Sequence, residues 1–455
     1  MSETRRRVSR RDFLRLMGTS GGAAVLAACG GAPAAPAGGE PTAAPAGGEA
    51  AAPTAAPAAS GGAKTLKIFN FGGEADKVIY GAAYDRFKKN HPDVTIEDNF
   101  VPVSTWSEYT NKVVAQVAGG QAPDIINIAI EGTRLIVSKE LMLPLDDLLT
   151  NDPGGRELIE DVDPALLDAF KVDGKIWQVP HSWNNMVIYY NTAMFKDAGI
   201  EPPKPDWTWQ DFLTTAKKLT SGSGGDQVYG FTIPNFNFGL TPWFLTNDTY
   251  QLTDDWSASN LNDPKMLESI TFVHDLIHVH NVSPAVEGAN NDALFTSSKA
   301  AMGGWGHWPI QNFLTNDFKD FDVQYWPRNR KGTSVHGVGG WGIYSQSQNK
   351  ELAWELIKEL TSKETIQATA DAGVAIPARR STAYSEEFLK FPPNSTIFYD
   401  SLKDSRPVPS PANFNEFETI FMRHVGEIMS ATVTPEAGLA AAHEELSAAM
   451  AKLKA

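Results

Sequence analysis

The sequence predicts an α/β protein of two doubly wound lobes, on three observations. From residue 64 onward, strand-like and helix-like stretches alternate. At 455 residues, the chain is long enough for two cores beyond an N-terminal export segment. Between Asp173 and Gly199, two apolar runs flank a polar and aromatic patch, as expected where a chain passes from one lobe to the other.

That stretch, DGKIWQVPHSWNNMVIYYNTAMFKDAG, organises the rest. Asp173-Gly174-Lys175 reads as a hairpin tip. Residues 176–179 read as a strand stopped by Pro180, and 181–185 as an irregular segment whose polar residues face a ligand held between the lobes. Its indole and amide, Trp183 and Asn184, are the first candidate ligand contacts. Residues 186–190 read as a buried strand, Asn191-Thr192 as the cap of a helix over 193–197, and Gly199 as its end.

The N-terminus reads as a separate export and anchoring device. Ser9-Arg10-Arg11-Asp12-Phe13-Leu14 is a twin-arginine signature, and the weakly apolar run ending Val25-Leu26-Ala27-Ala28 is too short and Gly-rich for a permanent span. The single cysteine, Cys29, follows Leu-Ala-Ala as in a bacterial lipobox, so residues 1–28 read as a signal peptide and Cys29 as the lipidation site. One cysteine placed there leaves no disulfide to form. Residues 29–63 are Ala/Pro/Gly-rich without an aromatic residue and read as a disordered tether reaching roughly 30 Å. The expected location is the extracytoplasmic face of a bacterial cell membrane. Twin-arginine export raises the question of a cofactor loaded in the cytoplasm, but no cofactor motif is present.

Net charge is −15, and residues 1–28 carry six Arg against Glu3 and Asp12, so the body is more acidic still. An acidic body argues against nucleic acid as a partner. In the body, 65–71 reads as a strand running into Gly72-Gly73, where backbone can approach a ligand. A helix over 76–90, a strand from 94, a helix over 104–118 and a strand over 123–128 follow, pointing to a parallel sheet. Later come a helix from Thr208 to Leu219, a strand over 229–233, a loop over 235–244 rich in Phe, Trp and amide, and a helix over 264–280. Phe238 and Trp243 in that loop read either as core or as ligand platforms on a cleft rim. Strands are expected at 322–327 and 337–345, and helices at 350–361, 416–430 and 435–452.

Several ordered features resemble the extracellular solute-binding proteins that feed sugar ABC importers, the maltose-binding-like family. They are Asp-Gly-Lys with Pro180 and Tyr189-Tyr190-Asn191, the Phe87 to Val94 helix exit, Gly119 to Ile126 with Pro123-Asp124-Ile125, the Thr208-Trp209 helix start, the block from Phe295 to Trp308 and the stretch from Ala372 to Ala378. The resemblance runs from about Lys64 to the C-terminus. It implies a type II periplasmic-binding-protein fold, with a first lobe over 64–184 and 328–373, a second over 185–327 and 374–455, and crossing segments around a cleft. It places Ile130 and Glu131 at that cleft, although a solvated carboxylate at a helix start also accounts for Glu131. It makes Trp308 the aromatic that stacks on ligand, with Trp305 beside it; a core tryptophan is the alternative, and the flanking glycines favour exposure. Trp341 is a further Gly-flanked indole. A flat ring covers the C–H face of a sugar while amides and carboxylates bond its hydroxyl rim.

The expected ligand contacts are therefore Phe71, Gly72, Gly73, Glu131, Trp183, Asn184, Phe238, Trp243, Trp305, Trp308 and Trp341. The expected function is capture of a sugar or oligosaccharide by a monomeric lipoprotein and delivery to the permease subunits of an ABC importer, with no cofactor or metal. A carbohydrate-active enzyme is one alternative: the adjacent carboxylates at 146–147, 254–255 and 386–387 do not face each other, but distant carboxylates can pair across a fold. A sensor without transport is another. As to ligand, Arg134 and Arg328 raise a phosphorylated polyol such as glycerol 3-phosphate. His274 and His278 share a helix face, yet the Glu of a zinc-protease helix is replaced by Asp275.

Overall fold

The computed structural model describes residues 64–453 apart from Pro102 and Ser104. The expected signal peptide, the lipidation site at Cys29 and the tether lie outside the described residues.

Three parallel strands open the larger sheet: β1 (Lys64–Asn70), β2 (Val94–Phe100) and β3 (Ile125–Ala129). All of β3 is buried, as in strands covered on both faces. Helices Glu74–Asn90 and Trp106–Ala118 make the connections. The hairpin at Asp173-Gly174 joins β4 (Lys171–Val172) to β5 (Lys175–Ile176). Both turn residues have positive φ, 51° and 75°, as a twist-matched two-residue turn needs.

Next comes β6 (Val179–Asn185), then β7 (Val187–Asn191), with Met186 alone between them. β6 lies in the larger sheet, but β7 is the centre of a second sheet, flanked antiparallel by β8 (Met302–Trp305) and β9 (Phe321–Gln324). Asn191 caps helix Thr192–Asp197 by accepting from Met194 N at 3.0 Å, and Gly199 follows at φ 66°. The chain returns to the larger sheet through β10 (Val335–Ile343), which lies antiparallel between β3 and β6. The short strands β11 (Ile376–Pro377) and β12 (Arg406–Pro407) pair β6 and β10. Helices Phe414–Met429 and Pro435–Ala451 end the described chain.

Four sequence expectations change. The larger sheet is mixed rather than parallel, because β10 enters it reversed, antiparallel to both β3 and β6. Residues 181–185 are not irregular but the body of β6, which continues through Pro180. The ladder tolerates that proline because its register shifts beside it, between Gly339 and Gly340, and Gly340 is the residue opposite Pro180. Residues 229–233 form only isolated bridges, Tyr229 to Ala300 and Thr232 to Gly303. Most of the expected loop over 235–244 is the helix Asn237–Thr246. Burial on all sides removes the amphipathic stripe that would reveal it, and Pro242 inside it reads as a breaker.

Trp243 on that helix is fully buried, and its ring meets Phe212 at 5.2 Å and Trp326 at 5.1 Å. Trp243→Ala should therefore destabilise the protein by about 3–5 kcal/mol, measured by denaturant melting.

Candidate functional site

A cleft of about 560 Å³ opens against the larger sheet. Its floor is the middle of β6 and β10, where His181, Ser182, Trp183 and Asn184 lie beside Gly337, Val338 and Gly339. The glycines keep this floor low. A Cβ on Gly337 would come within 3.2 Å of the Phe238 ring, and one on Gly339 within 3.2 Å of His181 Nε2.

Two aromatic groups face the cleft. On one side the Phe71 ring tilts against Trp106 at 4.1 Å, with Tyr109 5.7 Å behind it. Both Phe71 and Trp106 sit where a strand hands over to a helix start. On the other, Trp308 stands 6.3 Å from Phe236 and 6.5 Å from Phe238. Trp308 is 37% exposed and Phe236 40%, whereas most tryptophans in the described chain are buried. These are aromatic rings left partly open at a cavity mouth, the arrangement that can accept a flat apolar ligand face.

Polar groups complete the lining. His181 Nε2 donates to Asn127 Oδ1 at 3.0 Å, and Asn127 Nδ2 donates to Asn70 Oδ1 at 2.7 Å. Burial pushes the His181 imidazole down to about 3, so it is neutral at pH 7. The chain continues to Asp98, which accepts from Asn70 Nδ2 and from the Tyr84 hydroxyl and is raised by burial to about 6. Three carboxyl groups line the cleft: Asp76, Glu131 and Glu418. Asp76 accepts from Gly73 N at 2.8 Å, and Glu418 accepts from the Ser107 hydroxyl. Burial raises all three, Glu131 to about 7 with Glu418 adding to it. Glu131 Oε2, Trp183 Nε1 and Asn237 Nδ2 are buried without a protein partner. No Lys or Arg is among the described lining residues. Asn184 Oδ1 accepts from His307 N at 2.9 Å, tying the floor to the chain just beyond β8.

Of the sequence candidates, the structure places Phe71, Gly72, Glu131, Trp183, Asn184, Phe238 and Trp308 on the cleft wall. Four lie elsewhere. Gly73 is the exposed N-cap of helix Glu74–Asn90 and faces open space. Trp243 is core. Trp305 is also core, its Nε1 donating to Asp292 Oδ1 at 2.8 Å. Trp341 packs behind the floor, 5.3 Å from both Tyr80 and His181. The flanking glycines misled for a physical reason. A Cβ on Gly303 would strike Trp305 at 2.2 Å and one on Gly304 would strike Trp326 at 2.6 Å, so these glycines admit buried indoles rather than expose them. Ile130 is buried and off the lining as well. Arg134 lies over the Trp256 ring at 4.8 Å, and Arg328 lines a separate cavity of about 210 Å³, 3.8 Å from Asp206. His278 Nε2 donates to Met429 O at 2.9 Å.

Sequence reasoning passed over Asp76, Trp106, Asn127, Phe236 and Glu418. Trp106 carried a signal, since Thr105-Trp106 repeats the Thr-Trp helix start of Thr208-Trp209. Glu418 carried none; it reads as one more polar residue on an amphipathic helix.

A model of the family described as bacterial extracellular solute-binding protein matches residues 82–393, more than half of the chain. A binding protein of Brucella abortus is 25% identical over 393 residues, covering 80% of this chain and 88% of its own. The sn-glycerol-3-phosphate-binding periplasmic protein UgpB of Yersinia pestis is 23% identical over 395 residues, covering 81% and 88%. Among solved structures, the ABC substrate-binding protein Lmo0181 of Listeria monocytogenes, in complex with cycloalternan, superimposes with a TM-score of 0.76 at 23% identity, covering 85% of this chain and 99% of that one. The type II periplasmic-binding-protein fold follows from this likeness.

The raised Glu131 pKa couples to stability. Burial lifts the folded value above the ordinary 4.5, so this group's contribution is full below about 4.5 and is lost as pH rises through about 7. Glu131→Gln should remove that loss, making the variant more stable than the parent at about pH 8, by up to about 3 kcal/mol, and not at about pH 4. Denaturant melts at the two pH values read the difference.

Proposed function

The chain belongs to the bacterial extracellular solute-binding proteins, and from that premise we propose that it captures a sugar or oligosaccharide in the cleft and hands it to the permease of an ABC importer. The observation that carries the saccharide reading is the pairing of open rings on both sides of the cleft with an amide and carboxyl rim. Rings cover the C–H face of a pyranose, and the rim bonds its hydroxyls. In this reading Phe71, Phe238 and Trp308 are platforms, Glu131, Asn184 and Trp183 Nε1 meet hydroxyls, and Gly72 lets backbone approach. Closure of the two lobes over the ligand is the signal the permease reads. We further propose that Cys29 carries a lipid holding the protein at the outer face of the membrane, that residues 29–63 are its tether, and that it works as a monomer. The proposed lobes are 64–184 with 328–373, and 185–327 with 374–455.

A glycerol 3-phosphate reading is favoured by the likeness to UgpB. The cleft lining opposes it, having three carboxyl groups and no Lys or Arg to match a phosphate. Reading the protein as an enzyme gains no support from its family or its neighbours, which are substrate-binding proteins.

Titration with a panel of mono- and oligosaccharides, followed by tryptophan emission, tests the proposal, with glycerol 3-phosphate as the comparison. A saturable response to a saccharide is expected; a response to glycerol 3-phosphate alone would overturn it. Trp308→Ala should weaken the responding sugar about 30-fold, or about 2 kcal/mol, while shifting the melting temperature by no more than about 2 °C.

A further inference from the structure

The cleft's charge is unbalanced in a way that a neutral sugar does not resolve. Asp76, Glu131 and Glu418 reach it from three different helices, Glu74–Asn90, Ile130–Ser138 and Phe414–Met429. None of the three forms an ion pair among the described residues, although ion pairs are frequent elsewhere on the surface. The one basic ring on the lining, His181, is neutral and spends its N–H on Asn127.

Helix starts supply a partial positive charge, roughly half a unit each, which offsets carboxylates there. Asp76 uses it through Gly73 N. Glu131 uses it through one oxygen and its own backbone N–H, leaving Oε2 buried and unmatched. Glu418 lies more than a turn into its helix and has only the Ser107 hydroxyl. Burying carboxyl groups without a partner charge is costly, and a hydroxyl bonded to them satisfies their lone pairs without offsetting their charge. The surrounding rings, Phe71, Trp106 and Trp308 among them, present negative faces that also favour a cation. The chain's net charge of −15 would draw such a ligand in.

We propose that the cleft is built for a saccharide bearing a protonated amine, its ammonium group lodged between Glu131 and Glu418 while its ring lies against Trp308. Those two carboxyl groups sense each other's charge. This rests on the saccharide reading above and narrows it to a charge class. The ammonium group replaces the missing Lys or Arg: it donates to Glu131 Oε2 and to Glu418, completing the ion pairing the apoprotein lacks.

Calorimetric titration of the full chain separates the two readings. The probes are a glucosamine trimer, its N-acetylated form and cellotriose, which share a β-1,4 backbone and differ at C2, with glucosamine beside glucose as the single-ring pair. The amine-bearing member should bind at least about tenfold tighter than its hydroxyl and acetamide counterparts near neutral pH. Glu131→Gln combined with Glu418→Gln should abolish that preference; Glu418→Gln alone should reduce it and serves if the double variant melts early. Equal or tighter binding of neutral sugars overturns this inference and leaves the saccharide reading standing. If no saccharide of either kind binds, both fall.

Discussion

Everything about the cleft depends on one break in hydrogen bonding at Met186. β6 and β7 are nearly continuous in sequence, yet β6 is laddered into one sheet and β7 into the other. A strand that changes sheets in one residue forces the two to meet at its crossing point and leaves space to either side. Side chains hold the crossing in place. Ser334 Oγ donates to Met186 O at 2.7 Å, and Asn185 Nδ2 donates to Ser401 Oγ at 2.6 Å and to Phe398 O at 3.0 Å. These hydrogen bonds fix where one sheet stops and the other starts, which sets the cleft's position before any ligand contact is considered.

The same geometry explains the electrostatics. Parallel strands deliver their following helices start-first toward the crevice at the strand ends, the usual location of ligands in α/β sheets. Helix starts after β1 and β3 therefore arrive at the cleft carrying Asp76 and Glu131, and Phe414–Met429 adds Glu418. Topology alone gathers carboxyl groups from distant parts of the chain, and their burial then holds them above the ordinary carboxylate range.

Much of this was legible in the residues. The Asp173-Gly174 turn, the Asn191 cap and the helix start at Thr208 are local chemistry, and each stands where its spacing put it. The helix Asn237–Thr246 was not legible, because a segment buried on every side has no periodicity to read. At the site, the residues placed on the lining were found mainly where a strand end or a Gly-flanked aromatic coincided with an open cavity mouth, as at Phe71 and Trp308. Trp305 and Trp341 show the limit of that reasoning. A glycine beside an indole marks close approach, and only the tertiary structure says whether ligand or another ring does the approaching. Glu418 was out of reach for a different reason: its partner Ser107 lies far away along the chain.

The bare backbone of β10 at Gly337 and Gly339 has a bearing on how this receptor could diversify. Neither position is needed for a left-handed turn; each is simply an omitted methyl group between facing walls. A methyl at Gly337 would press on Phe238, and one at Gly339 on His181, each with only a few tenths of an ångström to recover. Two single-codon changes on one strand would thus narrow the gauge of the compartment from below, the one at Gly339 without touching either ring cluster, so selection on cargo size has a point of purchase separate from selection on cargo charge.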